Sequence, residues 1–113
     1  MSIINEMSPL TEATFYILIS LLEPLHGYGI MQKVIKLSNG RIHLAPGTLY
    51  GALSNLVDSR LIVPKDSKES NSRRKIYNIT TAGKELIEYE VKRLEEMVKN
   101  GRNLLKKERI KNG

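Results

Sequence analysis

No cysteine occurs in the 113 residues, which excludes a disulfide scaffold, thiolate metal sites and thiol catalysis together. Tryptophan is absent as well, and a single Phe stands beside five Tyr. Sequence-indifferent binding of single strands, which needs exposed aromatics to stack bases, is therefore poorly supported. The only histidines, His26 and His43, lie far apart with no carboxylate spacing that suggests ligands, so neither a metal nor a cofactor is expected. Gly27-Tyr28-Gly29 lacks the third glycine of a phosphate-binding loop. No Lys or Arg precedes Lys33, so the basic start of a secretory signal is missing. The longest apolar run, Phe15 to Leu22 interrupted by Ser20, falls well short of the roughly 20 residues of a membrane span. The expectation is a small cytoplasmic domain that is neither an enzyme nor a membrane protein.

What the chain has is positive charge, and it is concentrated. The net charge is +6 and the pI about 9.7, with 41% apolar residues, enough for one core. Residues 60–75 carry six bases against two acids, and residues 99–113 carry six against one. Everything else is neutral or slightly acidic. A basic cluster is a stronger sign of nucleic acid than a basic average, because each neutralised phosphate releases counterions. The second cluster is read as a solvated, ragged end.

Ser8-Pro9 reads as an N-cap and first helical residue, opening a helix from Leu10 to about Glu23. Leu10, Ala13, Thr14, Ile17, Leu18 and Leu21 share one face, while Phe15, Ile19 and Leu22 fall on the other. A helix apolar on both sides must be covered on both sides, which points to a second subunit. A turn at Pro24–Gly27 precedes a second helix from about Tyr28 to Ser38, with Ile30, Met31, Val34 and Leu37 inward and Asn39-Gly40 as the stop. Arg41–Leu44 alternates polar and apolar and reads as a short strand.

The third helix, opened by Ala45-Pro46-Gly47-Thr48, is the most informative element. Leu49, Ala52, Leu53, Leu56 and Val57 make one tight apolar stripe. The opposite face carries Gly47, Gly51, Ser54, Asn55 and Asp58, with Thr48 and Tyr50 at its edges. Solvated helix faces are normally filled with Lys and Glu. Here the face is small and nearly uncharged, and two glycines on it cost about 1 kcal/mol each relative to alanine. Small residues permit close backbone approach, and Thr, Ser, Asn and Tyr can bond phosphates and base edges. Those are the requirements of the major groove.

Leu61–Val63 and Lys75–Ile79 read as two strands, with Pro64 marking an edge and a basic tip between them. The fold class is therefore mainly α with a small β-hairpin, a winged helix-turn-helix over residues 1–80. Thr80 or Thr81 caps a last helix, expected over residues 81–106. In it Ile87, Val91, Leu94, Val98, Gly101 and Leu105 keep the alternating spacing of an intermolecular helix seam. Its glutamates read as a solvated surface, and residues 107–113 as a basic tail without regular structure.

These motifs resemble one family. His26-Gly27-Tyr28-Gly29-Ile30, Pro46-Gly47-Thr48-Leu49-Tyr50, Leu61-Ile62, and Arg74-Lys75-Ile76-Tyr77 running into Ile79-Thr80-Thr81-Ala82-Gly83 together resemble the PadR family of bacterial transcriptional regulators. The resemblance covers about residues 8–105 and the short subgroup with a single C-terminal helix. It implies a homodimer that binds double-stranded DNA at an inverted repeat, usually as a repressor. Pro46, Gly47, Thr48, Tyr50, Gly51, Ser54 and Asn55 would then meet the major groove, and Arg73, Arg74 and Lys75 of the wing the flanking minor groove. Phe15, Ile19 and Leu22, with Ile87, Val91, Leu94, Val98 and Leu105, would form the dimer. The competing reading is a winged-helix adaptor that docks proteins and does not bind DNA specifically.

The sequence departs from the family pattern in several places, one being the wing, which has Asn71-Ser72-Arg73-Arg74 in place of the Gly-Arg-Pro tip common in the family. Arg60 occupies the place where members carry Gly before the wing, so this turn holds Arg in an unfavourable conformation or takes another form, or else Arg60 is placed there for phosphate contact. Multidrug-responsive members stack flat ligands on Trp at the dimer interface, whereas the last helix here offers only Tyr89. Whether a small-molecule effector exists, and which, is left open.

Overall fold

The computed structural model describes residues 6–66 and 75–112, and its chain begins on a helix shorter than the apolar pattern suggests. Helix α1 runs Glu12–Ser20 and is capped by Thr11, whose hydroxyl accepts from the Thr14 N–H at 3.1 Å. The expected cap at Ser8 does not form. Ser8 instead donates to the carboxylate of Glu90, and the Leu10 N–H does the same. Ile17, Leu18 and Leu21 are buried as expected, Phe15 and Ile19 are half-buried, and Leu22 is exposed.

The turn after α1 contains a strand missed in the sequence. Leu25–His26 forms β1, followed directly by α2 over Gly27–Leu37. Ile30 and Val34 face the core, but Leu37 is exposed. Ser38 takes the buried place, where its hydroxyl accepts from the Ile42 N–H at 3.0 Å. Asn39 and Gly40 both adopt positive φ (53° and 78°) and stop the helix as expected. No strand forms over residues 41–44. The alternation there reports burial alone, with Leu44 anchored in the core and no partner strand to pair with.

Helix α3 covers Pro46–Asp58, and Leu49, Leu53 and Leu56 of its stripe are fully buried. It ends in a Schellman motif. The Leu61 N–H bonds the Leu56 carbonyl and the Arg60 N–H bonds that of Val57. Arg60 sits at φ 61°, so the unfavourable, left-handed conformation is the one adopted, at about 1 kcal/mol for a residue with a Cβ.

Strands β2 (Ile62–Asp66) and β3 (Lys75–Ile79) pair antiparallel, Ile62 opposite Ile79 and Asp66 opposite Lys75. β1 pairs with the other side of β3, Leu25 opposite Tyr77, giving a three-stranded sheet of order β1-β3-β2. Pro64 thus lies on an edge strand, where its missing N–H costs no ladder bond. Residues 67–74, which include Arg73 and Arg74, lie outside the described residues.

Helix α4 runs Thr81–Asn112. Thr80 caps it, accepting from the Gly83 N–H at 3.1 Å. The helix passes through Gly101 and continues beyond Leu105, so residues 107–112 are helical rather than irregular. Leu86, Ile87 and Glu90 are buried against the body, and after Arg93 every described residue of the helix is exposed. Among the described residues no helix is long and apolar enough to cross a membrane.

Candidate nucleic-acid interface

One face of the first two turns of α3 is open to solvent while Leu49 and Leu53 hold the other in the core. Pro46, Gly47, Thr48, Tyr50, Gly51, Ser54 and Asn55 are all exposed, as the periodicity of the buried leucines requires. Ala45 occupies the N-cap position without a side-chain cap, and the first turn carries no acid. The positive end of the helix dipole is therefore not neutralised from within the helix. Among the described residues, a Cβ built on Gly47 or Gly51 would meet nothing beyond its own helix. Neither glycine is explained by internal packing, although each lowers helix stability.

Tyr50 is held rather than loose. Its side chain is 51% exposed, yet the phenol lies across the first turn of α2 so closely that a Cβ on Gly27 would collide with the hydroxyl and the ring. The two motifs His26-Gly27-Tyr28-Gly29 and Gly47-Thr48-Leu49-Tyr50 thus meet in space. Tyr77 of β3 lies near enough to Tyr50 to feel its charge. Burial raises its phenol above the ordinary tyrosine range, and the neighbouring Tyr50 adds to the shift. The sequence carried a signal for this arrangement in the Gly27 position, but not its partner.

On the wing, Lys65 and Lys75 are exposed on opposite strands, and Arg60 is exposed at its base. Thr80 braces that base. Its N–H donates to the Leu61 carbonyl at 3.0 Å, and its hydroxyl lies within bonding distance of the Arg60 and Leu61 carbonyls.

A second surface is apolar. Val91, Leu94, Met97, Val98, Leu104 and Leu105 of α4 are exposed, and Leu22, just past the end of α1, is exposed too. Ile87, expected in the same seam, lies in the chain's own core. Where α1 meets α4, a cavity of about 310 Å³ is lined by Leu10, Phe15, Tyr16, Glu90, Arg93 and Leu94. Glu90 is the residue that the sequence reading hid. Its buried carboxylate accepts from Arg93 Nε at 2.7 Å and Nη2 at 2.9 Å, besides Ser8 and the Leu10 N–H. Those bonds, led by Arg93, hold it well below the ordinary glutamate value, at about 2, against the opposing effect of burial. Among the described residues, no three His, Asp or Glu side chains are grouped to hold a metal ion.

Residues 16–89 match the transcriptional regulator PadR-like family. The chain is similar to a PadR family transcription regulator from Clostridium difficile, with a TM-score of 0.73 and 28% identity over 84% of this chain and 99% of that one. It is also similar to a transcriptional regulator from Thermoplasma acidophilum, with a TM-score of 0.66 and 26% identity over 83% and 90% of the two chains. A stretch of 67 residues, 59% of the chain, is 42% identical to an uncharacterised 37.1 kDa protein in a transposon of Streptomyces fradiae. That match spans 18% of the transposon protein's length.

Proposed function

Because the chain belongs to the PadR-like family of transcriptional regulators, whose members are DNA-binding regulators, we propose that it represses transcription as a homodimer on an inverted-repeat operator. The observation that carries this reading is the exposed face of α3. Apart from Asp58 at its end it is uncharged, it is rich in hydrogen-bonding groups, and it contains two glycines that no packing among the described residues requires. Gly47 and Gly51 let the helix backbone approach DNA closely, while Thr48, Tyr50, Ser54 and Asn55 bond phosphates and base edges. The basic wing, with Arg73, Arg74 and Lys75, adds affinity that falls with salt. Phe15 and Ile19 of α1, Leu22 just beyond it and the exposed stripe of α4 hold the dimer. Two-fold symmetry then requires half-sites about 34–36 Å apart or a multiple of that.

Footprinting upstream of the chain's own gene tests the reading. A protected inverted repeat is expected, and its absence would favour the protein-docking adaptor instead. Tyr50→Ala and Arg74→Ala should each weaken operator binding by about tenfold while the fold persists, as for lost contacts of about 1–3 kcal/mol. Unchanged affinity in both would overturn the residue assignment.

Gly51→Ala separates folding from function. With open space for the methyl group, it should stabilise the chain by about 0.5–1 kcal/mol through helix propensity, raising Tm. The same methyl should weaken operator binding by holding the backbone off the groove. A variant that is more stable and binds equally well would refute the close approach.

A further inference from the structure

Among the described residues, nothing covers the distal part of α4. From Leu94 to Asn112 every residue is exposed, a projection of about 28 Å at 1.5 Å per residue. A helix of that length without tertiary packing, and with Gly101 inside it, is marginal in water. Its apolar face nevertheless continues, with Leu94 37%, Val98 52% and Leu105 58% exposed.

The charges beside that face are ordered. Glu88, Glu95, Arg102 and Arg109 recur every seventh residue, immediately after Ile87, Leu94, Gly101 and Glu108. All four are exposed, and among the described residues none is in an ion pair. Charges flanking an apolar seam set the orientation and register of helix pairs. We propose that α4 pairs antiparallel with α4 of a second copy in one register. In it, Glu88 and Glu95 of each chain face Arg109 and Arg102 of the other. The proposal rests on the homodimer reading and specifies its geometry.

Reversing one helix brings the same flank of both together, so this arrangement makes four complementary pairs by symmetry. Sliding by one heptad in either direction sets Glu95 against Glu95 or Arg102 against Arg102. The apolar residues select the same register independently. Leu94 falls opposite Leu105, and Met97 opposite Leu104 on the far flank. Val98 falls opposite Gly101, whose missing side chain makes room at the dyad. Within its own chain Gly101 has no such purpose, since a Cβ there would meet nothing beyond its own helix. A parallel pair would instead bring Glu90 towards Glu95 and leave the arginines beside Met97 and Leu104. The basic end of α4 is accordingly a clamp on the acidic first half of the partner's helix.

Two variants test this by sedimentation equilibrium. Arg102→Glu/Arg109→Glu makes all four flanking positions acidic, and Glu88→Lys/Glu95→Lys makes them all basic. Each alone should dimerise about tenfold or more weakly than the unaltered chain at low salt. Mixed in equal amounts, they should form a heterodimer tighter than either homodimer, which also shows that both are folded. If either variant dimerises as tightly as the unaltered chain, or the mixture shows no preference for the heterodimer, the register is wrong although the dimer stands. An unaltered chain that sediments as a monomer would overturn the homodimer reading itself, and the register with it. If Arg102→Glu/Arg109→Glu keeps its dimer but loses DNA affinity, the basic end contacts nucleic acid and the clamp is refuted.

Discussion

Replacing Glu90 with alanine should cost about 2–3 kcal/mol of stability, because several donors lose the buried carboxylate that accepts from them while Arg93 stays partly open to water. The carboxylate accepts four hydrogen bonds at 2.6–2.9 Å, and its removal leaves Ser8, the Leu10 N–H and the Arg93 guanidinium without their acceptor. Its ionisation also makes stability depend on pH. The group titrates at about 2 in the folded chain against an ordinary 4.5, a depressed value. The stabilisation is thus fully present above about pH 4.5 and is lost as pH falls through about 2. Its upper bound at neutral pH is about 3 kcal/mol. Urea unfolding of the unaltered chain and Glu90→Gln checks this. The gap between them should be widest near pH 6 and should narrow steadily below about pH 4. A gap independent of pH would mean that the carboxylate acts through shape alone. This knot joins the segment before α1 to α4, so it fixes how the helix-turn-helix sits on α4.

Gly83→Ala should be the other severe substitution. A Cβ there would overlap the Leu61 carbonyl and lie 2.6 Å from Ile79 Cγ1. A backbone carbonyl cannot rotate away, so α4 would have to lift from the base of the wing. Overpacking of this kind costs about 1–3 kcal/mol, and the upper end applies where the obstacle is backbone. The helix-propensity gain of alanine offsets about 1 kcal/mol of it. The net loss of about 2 kcal/mol should lower Tm by roughly 10 °C. Thermal unfolding followed by circular dichroism decides the matter. A Tm equal to or above that of the unaltered chain would show that the joint between wing and α4 has slack. The contrast with Gly51→Ala is instructive, since the same exchange should have opposite sign at an open glycine.

The parts of the fold legible in the sequence are those governed by local periodicity. Leu49, Leu53 and Leu56 define α3 because each turn repeats the same buried contact, and the exposed face follows by default. Asn39-Gly40 marks the end of α2 because the left-handed conformation there is a property of those residues. What was not legible depends on partners far along the chain. Ser8 looks like a helix cap until Glu90, 82 positions away, takes its hydroxyl. Leu25–His26 becomes a strand only because β3 offers an edge. Glu90 itself hides among five glutamates between residues 76 and 98, most of them solvated. Tyr50 and Gly27 were each singled out, but their contact lies in no spacing rule.

On the proposed function, that contact divides α3 into two kinds of position. Tyr50 is braced by the turn at Gly27, so its ring would enter a groove with its rotamer already chosen and lose little freedom on binding. Ser54 and Asn55 are exposed and absent from any side-chain hydrogen bond among the described residues. Altered operator preference should therefore evolve, or be engineered, at residues 54 and 55 first. Tyr50 is a fixed anchor, and changing it means refitting the turn that holds it.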